Sequence, residues 1–219
     1  MRPRSLFRFV LALSLCPWTV QMAGCSKPAE PPAAVPPPAA VAPGGAASTN
    51  GTVVGKGPAP AVGASVVVVL ESKTPRQFAA QTDKPVMDQV GTTFGPELLI
   101  VRTGQPVEFR NNDDTLHNVN VKEEGTRVQS FNVAIPTDGV YEFTFPHDGF
   151  YRVGCDIHPA MAASIFAAST PYATLAGSDG SFTFADVPPG AWTVTIYSAG
   201  RRLQRDVQVT GGVTAVTVE

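Results

Sequence analysis

Cys155, His158 and Met161 stand three residues apart in Cys155-Asp156-Ile157-His158-Pro159-Ala160-Met161, so a thiolate, an imidazole and a thioether recur in one short stretch. The residues leading into it, Phe150-Tyr151-Arg152-Val153-Gly154-Cys155, read as a strand. Side chains alternate along a strand. Tyr151, Val153 and Cys155 therefore share the core face, with the sulfur pointing inward at the strand's end. Pro159 cannot continue a ladder, the chain turns there, and a single loop can bring all three donors to one point. A second imidazole must come from His117 or His147, because the chain has three histidines in all. His117 opens another strand after the polar run Asn111-Asn112-Asp113-Asp114-Thr115-Leu116. His147 sits in the tight turn Pro146-His147-Asp148-Gly149 and reads as a solvated turn residue away from the other donors. Two histidines, a cysteine and a weak axial methionine make the ligand set of a blue copper ion.

Each donor has a chemical reason. A Cys155 thiolate gives a soft, covalent bond that favours Cu(I), and the imidazoles of His117 and His158 serve both oxidation states. The Met161 thioether is soft and weak, so it raises the potential without imposing a tetragonal Cu(II) geometry. The set offers no open water position of the kind that hydrolytic metals use. Zn²⁺ also accepts these donors, but Cu²⁺ generally binds more tightly. Cys155 is the only cysteine beyond residue 25, so it has no disulfide partner in the folded region. A lone exported thiol is a liability that a metal relieves; the plainer role is that of a buried, inert cysteine.

The elements that must position these residues read as β throughout. The 219 residues include 20 Gly and 21 Pro, with Val and Thr abundant and no long amphipathic helix. Leu98-Leu99-Ile100-Val101 and Pro106-Val107-Glu108-Phe109 flank a turn at Thr103-Gly104-Gln105. Tyr141, Phe143 and Phe145 alternate with Glu142 and Thr144, a half-buried strand. Met87 reads as core. The continuous apolar run Val66-Val67-Val68-Val69-Leu70 reads as a buried strand. Near the end, Asp179-Gly180-Ser181 and Val187-Pro188-Pro189-Gly190 are turns feeding strands, and two further short Val/Thr strands surround Gly211-Gly212. Asp113-Asp114 is either a polar turn or a docking point for a cationic partner.

Residues 1–24 carry Arg2, Arg4 and Arg8, no acid, and an apolar stretch, the pattern of an export signal. Met22-Ala23-Gly24-Cys25 resembles a bacterial lipobox, which makes Cys25 the expected lipidated residue, with Ser26 weakly favouring the outer membrane. Ordinary cleavage near Ala23 and a soluble periplasmic product is the alternative. Residues 25–50 are dominated by Pro and Ala and read as a disordered tether. Without the three leader arginines, 13 of the 16 Lys and Arg face 18 Asp and Glu, a net charge of −5. With no basic cluster, a nucleic acid partner is not expected.

His117-Asn118-Val119 and the Cys-x-x-His-x-x-Met loop resemble the cupredoxins, specifically the plastocyanin and amicyanin branch. The short His-to-Met spacing is nearer the amicyanin pattern. The resemblance spans roughly residues 84–167. It implies a Greek-key β-sandwich holding one type 1 copper through His117, Cys155, His158 and Met161, with Asn118 helping to hold the ligand loop. It also implies that the edge of His158 is the electron port, set in an apolar docking patch of Leu116, Pro159 and Ala160. Asp179-Gly180-Ser181-Phe182, Val187-Pro188-Pro189-Gly190 and residues 63–66 resemble the carboxypeptidase regulatory-like (transthyretin-like) β-sandwich. The fold expected is therefore all-β: a cupredoxin sandwich (76–167) inserted in or fused to a small regulatory-like sandwich made of residues 51–75 and 168–219. The rival arrangement pairs the early strands with the cupredoxin sheet.

The function this implies is electron transfer at a bacterial membrane facing the periplasm, by a carrier rather than an enzyme. Partners would be a c-type cytochrome, a dehydrogenase or a terminal oxidase. The alternative is a periplasmic copper-handling lipoprotein, which the absence of Met/His-rich tracts disfavours. An oxidase or nitrite reductase domain would need further histidines. A purely structural lipoprotein would leave Cys155 without a role.

Overall fold

The computed structural model describes residues 50–219. The expected leader, the lipid attachment at Cys25 and almost all of the tether lie outside the described residues. Within them, all regular structure is β. Two strands come first, β1 (Gly51–Lys56) and β2 (Val67–Ser72). The middle segment contains β3 (Val86–Val90), β4 (Thr93–Gly95), β5 (Leu98–Arg102), β6 (Pro106–Asn111) and β7 (His117–Glu123). It continues with β8 (Gln129–Ile135), β9 (Val140–Thr144), β10 (Gly149–Gly154) and β11 (Ala162–Ala168). The closing third adds β12 (Ala173–Leu175), β13 (Ser181–Val187), β14 (Gly190–Ser198), β15 (Arg201–Val209) and β16 (Gly212–Thr217).

The middle strands form two sheets, β5-β11-β10-β7-β8 and β4-β3-β6-β9. Between them lies a core that includes Met87, Val107, Phe109, Val119, Val121, Phe145, Tyr151, Val153 and Ile165. Both early strands pair with the closing third: β1 lies between β13 and β16, and β2 between β12 and β14. Neither joins the sheets of the middle segment. The two outer sheets enclose a second core around Trp192, Val53, Leu70, Phe182, Val194 and Ile196.

A third apolar layer joins the two sandwiches. Val67 and Val69 of β2 meet Phe166 and Ala168 of β11, with Leu98, Ile100, Phe150 and Tyr197 packed against them. The uninterrupted valine run follows from this. Val66, Val68 and Leu70 enter the core around Trp192, while Val67 and Val69 enter the joint. A strand covered on both faces has no solvent side to mark with polar residues. β11 does the same, sending Ile165 and Ala167 one way and Phe166 and Ala168 the other.

Strand order sets the place of the site. β10 runs antiparallel to β7 with Gly154 opposite Asn120, so the exit of β10 lies beside the entry of β7. The loop after β10 closes on itself before β11: the Met161 amide donates to the His158 carbonyl at 2.9 Å, and the Cys155 amide to the Met161 carbonyl at 3.3 Å.

Candidate metal centre

Tyr151, Val153 and Cys155 are all buried, as the alternation along β10 requires. The sulfur thus enters the core end of the inner sandwich. His117 is fully buried where β7 begins, paired with Ile135 of β8. The segment before it is shaped by Asn111, whose buried amide nitrogen donates to the carbonyls of Thr115 and Ile135, both at 2.8 Å. Its amide oxygen accepts the backbone N–H of Asp113 at 3.0 Å. One side chain therefore folds residues 111–117 into the turn that delivers Asp113 and His117.

Three donors converge. The Nδ1 atoms of His117 and His158 are 2.9 Å apart, and Cys155 Sγ lies 4.0 and 3.8 Å from them. Among the described residues, His117, Cys155 and His158 form the one cluster of this kind, with donor atoms within 4.8 Å of one another. A zinc-sized ion takes imidazole nitrogen at about 2.0–2.1 Å and thiolate at about 2.3 Å. Donors sharing one centre are then at most ~4.2 Å (N–N) and ~4.4 Å (N–S) apart, and all three sides fit. Two nitrogen lone pairs at 2.9 Å repel unless a proton or a cation sits between them, so the pair is satisfied either by an N–H···N hydrogen bond or by a shared ion. Met161, the expected weak fourth donor, is buried in the same core cluster as Cys155, and its backbone carbonyl accepts the Cys155 amide. The donor set fits one copper ion of the type 1 kind.

His117 is held from its far side. Its Nε2 donates to Asp113 Oδ2 at 2.9 Å, which fixes the tautomer and leaves the Nδ1 lone pair for the metal. Asp113 is itself anchored by the backbone amides of Gly91 and Thr92, each at 2.8 Å. These contacts, the Thr92 amide first and then His117, hold its carboxyl below the usual carboxylate range. Sequence left Asp113 as a polar turn or docking acid; the structure commits it to His117, and Asp114 is the exposed member of the pair.

Asn118 ties the ligand loop down. Its Oδ1 accepts the backbone N–H groups of Asp156 at 2.7 Å and Ile157 at 3.3 Å, and the Cys155 thiol at 3.2 Å. The His158 amide donates to Cys155 Sγ at 3.4 Å.

His158 is half-buried while His117, Cys155 and Met161 are buried, so the loop histidine is the donor that reaches the surface. Pro159 and Ala160, which follow it in the chain, and Leu116, which precedes His117, are exposed. Ile157, 47% exposed, is a fourth apolar residue at this loop that sequence reading passed over. A large aliphatic side chain left open between Asp156 and His158 was the available signal. His147 is exposed in its turn, outside the donor cluster, and its carbonyl accepts the Tyr151 hydroxyl at 2.8 Å.

No family profile matches the chain, and no curated protein matches it. Among solved structures, a reduced amicyanin variant is 20% identical over 46% of this chain and 99% of its own, with a TM-score of 0.36. Amicyanin from Paracoccus versutus is 19% identical over 45% of this chain and 97% of its own, at 0.36. A purple cupredoxin from Nitrosopumilus maritimus is 22% identical over 39% of this chain and all of its own, at 0.35.

Proposed function

We propose that this chain is a type 1 copper protein that carries single electrons, a carrier and not an enzyme. The observation that supports this most is the triangle of His117 Nδ1, His158 Nδ1 and Cys155 Sγ, with His117 and Cys155 buried and His158 at the surface. Copper held there supplies one-electron chemistry between Cu(I) and Cu(II). The protein's part is to keep the donors fixed. Asp113 orients His117, Asn118 pins the loop, and the apolar core around Cys155 and Met161 excludes water. Donors that move little on electron gain or loss keep reorganisation small. His158 would pass the electron, and Leu116, Ile157, Pro159 and Ala160 would give the small apolar contact that suits weak redox encounters.

In this proposal residues 76–167 are the copper domain, inserted into a regulatory-like module made of residues 51–75 and 168–219. Cys25 carries the lipid and residues 25–50 the tether, placing the carrier on the periplasmic side of a membrane, the outer one favoured. A c-type cytochrome, a dehydrogenase or a terminal oxidase would then be the partner. Cu(II) added to the full chain should give an intense visible charge-transfer band and a narrow copper hyperfine splitting. A colourless protein or an ordinary tetragonal Cu(II) spectrum would overturn the reading and favour copper handling.

A further inference from the structure

Asp156 follows the ligand Cys155 and faces the opposite way. Cys155 enters the core, and Asp156 lies on the outer face of the sheet. Three asparagines meet it there. Asn118 and Asn120 lie on the outer face of β7, since His117, Val119 and Val121 take the inner one. Asn132 of β8 is the direct cross-strand partner of Asn120. Asp156 Oδ2 accepts from Asn132 Nδ2 at 2.7 Å, from Asn118 Nδ2 at 3.1 Å and from Asn120 Nδ2 at 3.1 Å. Its Oδ1 accepts from Asn120 Nδ2 at 2.9 Å. Gly154 stands opposite Asn120, with only the Met161 carbonyl, at 3.9 Å, near where a Cβ would be. β10 therefore puts no side chain in the way of the cluster.

We propose that Asn120 and Asn132, acting through Asp156, are positioning residues for the Cys155 ligand, a three-amide clamp that fixes the loop from outside the sheet. This rests, for its meaning in electron transfer, on the copper reading above. The clamp works through amide polarity. The carboxylate accepts only, so it draws the Nδ2 of Asn118 toward itself. Asn132 reinforces this, its Oδ1 accepting from the same Nδ2 at 2.7 Å. The Oδ1 of Asn118 is left facing the loop amides and the sulfur. Without Asp156, Asn118 Nδ2 keeps only its Asn132 acceptor, and turning over costs less. Its NH₂ would then oppose the loop amides and donate to a Cys155 thiolate, and hydrogen bonding at that sulfur tunes the metal. The amides hold the carboxylate directly, Asn120 first and Asn132 next keeping its carboxyl below the usual range, and Lys122 adds a weaker attraction.

The test uses the full chain with Asn120→Ala, Asn132→Ala and Asp156→Ala, and Gln208→Ala as a distant exposed control. In metal-free protein, alkylation of Cys155 by iodoacetamide is followed by peptide mass spectrometry, which separates it from Cys16 and Cys25. Tenfold or faster alkylation in Asp156→Ala, Asn132→Ala and Asn120→Ala is expected, with the far-ultraviolet spectrum retained and the control unchanged. In copper-loaded protein, the same variants should shift the charge-transfer band and release copper to a chelator about tenfold faster. Unchanged alkylation, band and release in all three folded variants would overturn the clamp. If wild-type protein binds no copper while alkylation still accelerates in the variants, the clamp stands and the copper reading falls. Should Asp156→Ala fail to fold, the two asparagine variants decide the matter.

Discussion

Removing the carboxylate behind His117 tests the geometry of the site most directly. Asp113 makes three contacts with two oxygens: Oδ1 takes the Gly91 amide, and Oδ2 takes both the Thr92 amide and His117 Nε2. Asp113→Ala deletes all three and leaves the buried imidazole free to rotate or change tautomer. Loss of such an outer partner weakens metal binding by about 10- to 100-fold, or about 1.4–2.7 kcal/mol. Asp113→Asn is milder, because its single oxygen can keep the Thr92 and His117 contacts while its NH₂ opposes only the Gly91 amide. The expected order of affinity is wild type, then Asn at about tenfold weaker, then Ala toward 100-fold. The assay is competition for Cu(I) against a chromophoric chelator at neutral pH, with Asp114→Ala as the exposed neighbour. If Asp113→Ala stays within about threefold of wild type, or Asp114→Ala is equally damaging, the role given to Asp113 is wrong.

Cys155→Ser should abolish the charge-transfer band, whereas Met161→Gln should retain copper and lower its potential; a coloured Cys155→Ser protein would sink the ligand assignment. Phe166 is buried in the joint, 4.7 and 5.2 Å from the rings of Phe150 and Tyr197. Phe166→Ala should cost about 3 kcal/mol and split calorimetric unfolding into two steps; a single transition at the wild-type midpoint would contradict the coupling of the sandwiches. Asp113 and Asp156 are depressed, and Asp179 is lowered to about 2, chiefly by Ser181. A carboxyl whose folded value lies below its unfolded one gives stability that is fully present above the ordinary range and lost as pH falls through the folded value. The thermal midpoint should therefore hold from neutral pH to about 5 and decline between about 4 and 2. Asp179→Asn should start lower at neutral pH and decline less; an identical slope would remove Asp179 from the explanation.

What could be read in advance was what lies close along the chain. Cys155 and His158 share one loop, so their spacing alone predicted that their donors meet, and the alternation of Tyr151, Val153 and Cys155 fixed which way the sulfur faces. The all-β character followed from Val/Thr strands and Gly/Pro turns. Asp113 was not legible as a partner of His117, since that contact depends on Asn111 bending residues 111–117 and on the amides of Gly91 and Thr92. The sequence does not single out Asn120 and Asn132, and only the pairing of β7 with β8 sets them against Asp156. β15 begins at Arg201-Arg202 and is longer than the short Val/Thr strand expected there, because at the edge of its sheet a long charged strand is tolerated.

The pairing of β1 also dictates an order of assembly. Gly51 lies beside Gly212 and Val187, and β2 finds β12 and β14 only in the closing third. During synthesis these two strands leave the ribosome long before their neighbours exist, while every strand of the inner sandwich is made in between. Pairings so distant along the chain form slowly, and unpaired apolar strands invite aggregation. The valine run of β2 is the segment most in need of protection during that wait. A chain halted before residue 173 would carry a complete ligand set on a sandwich that still trails two orphan strands.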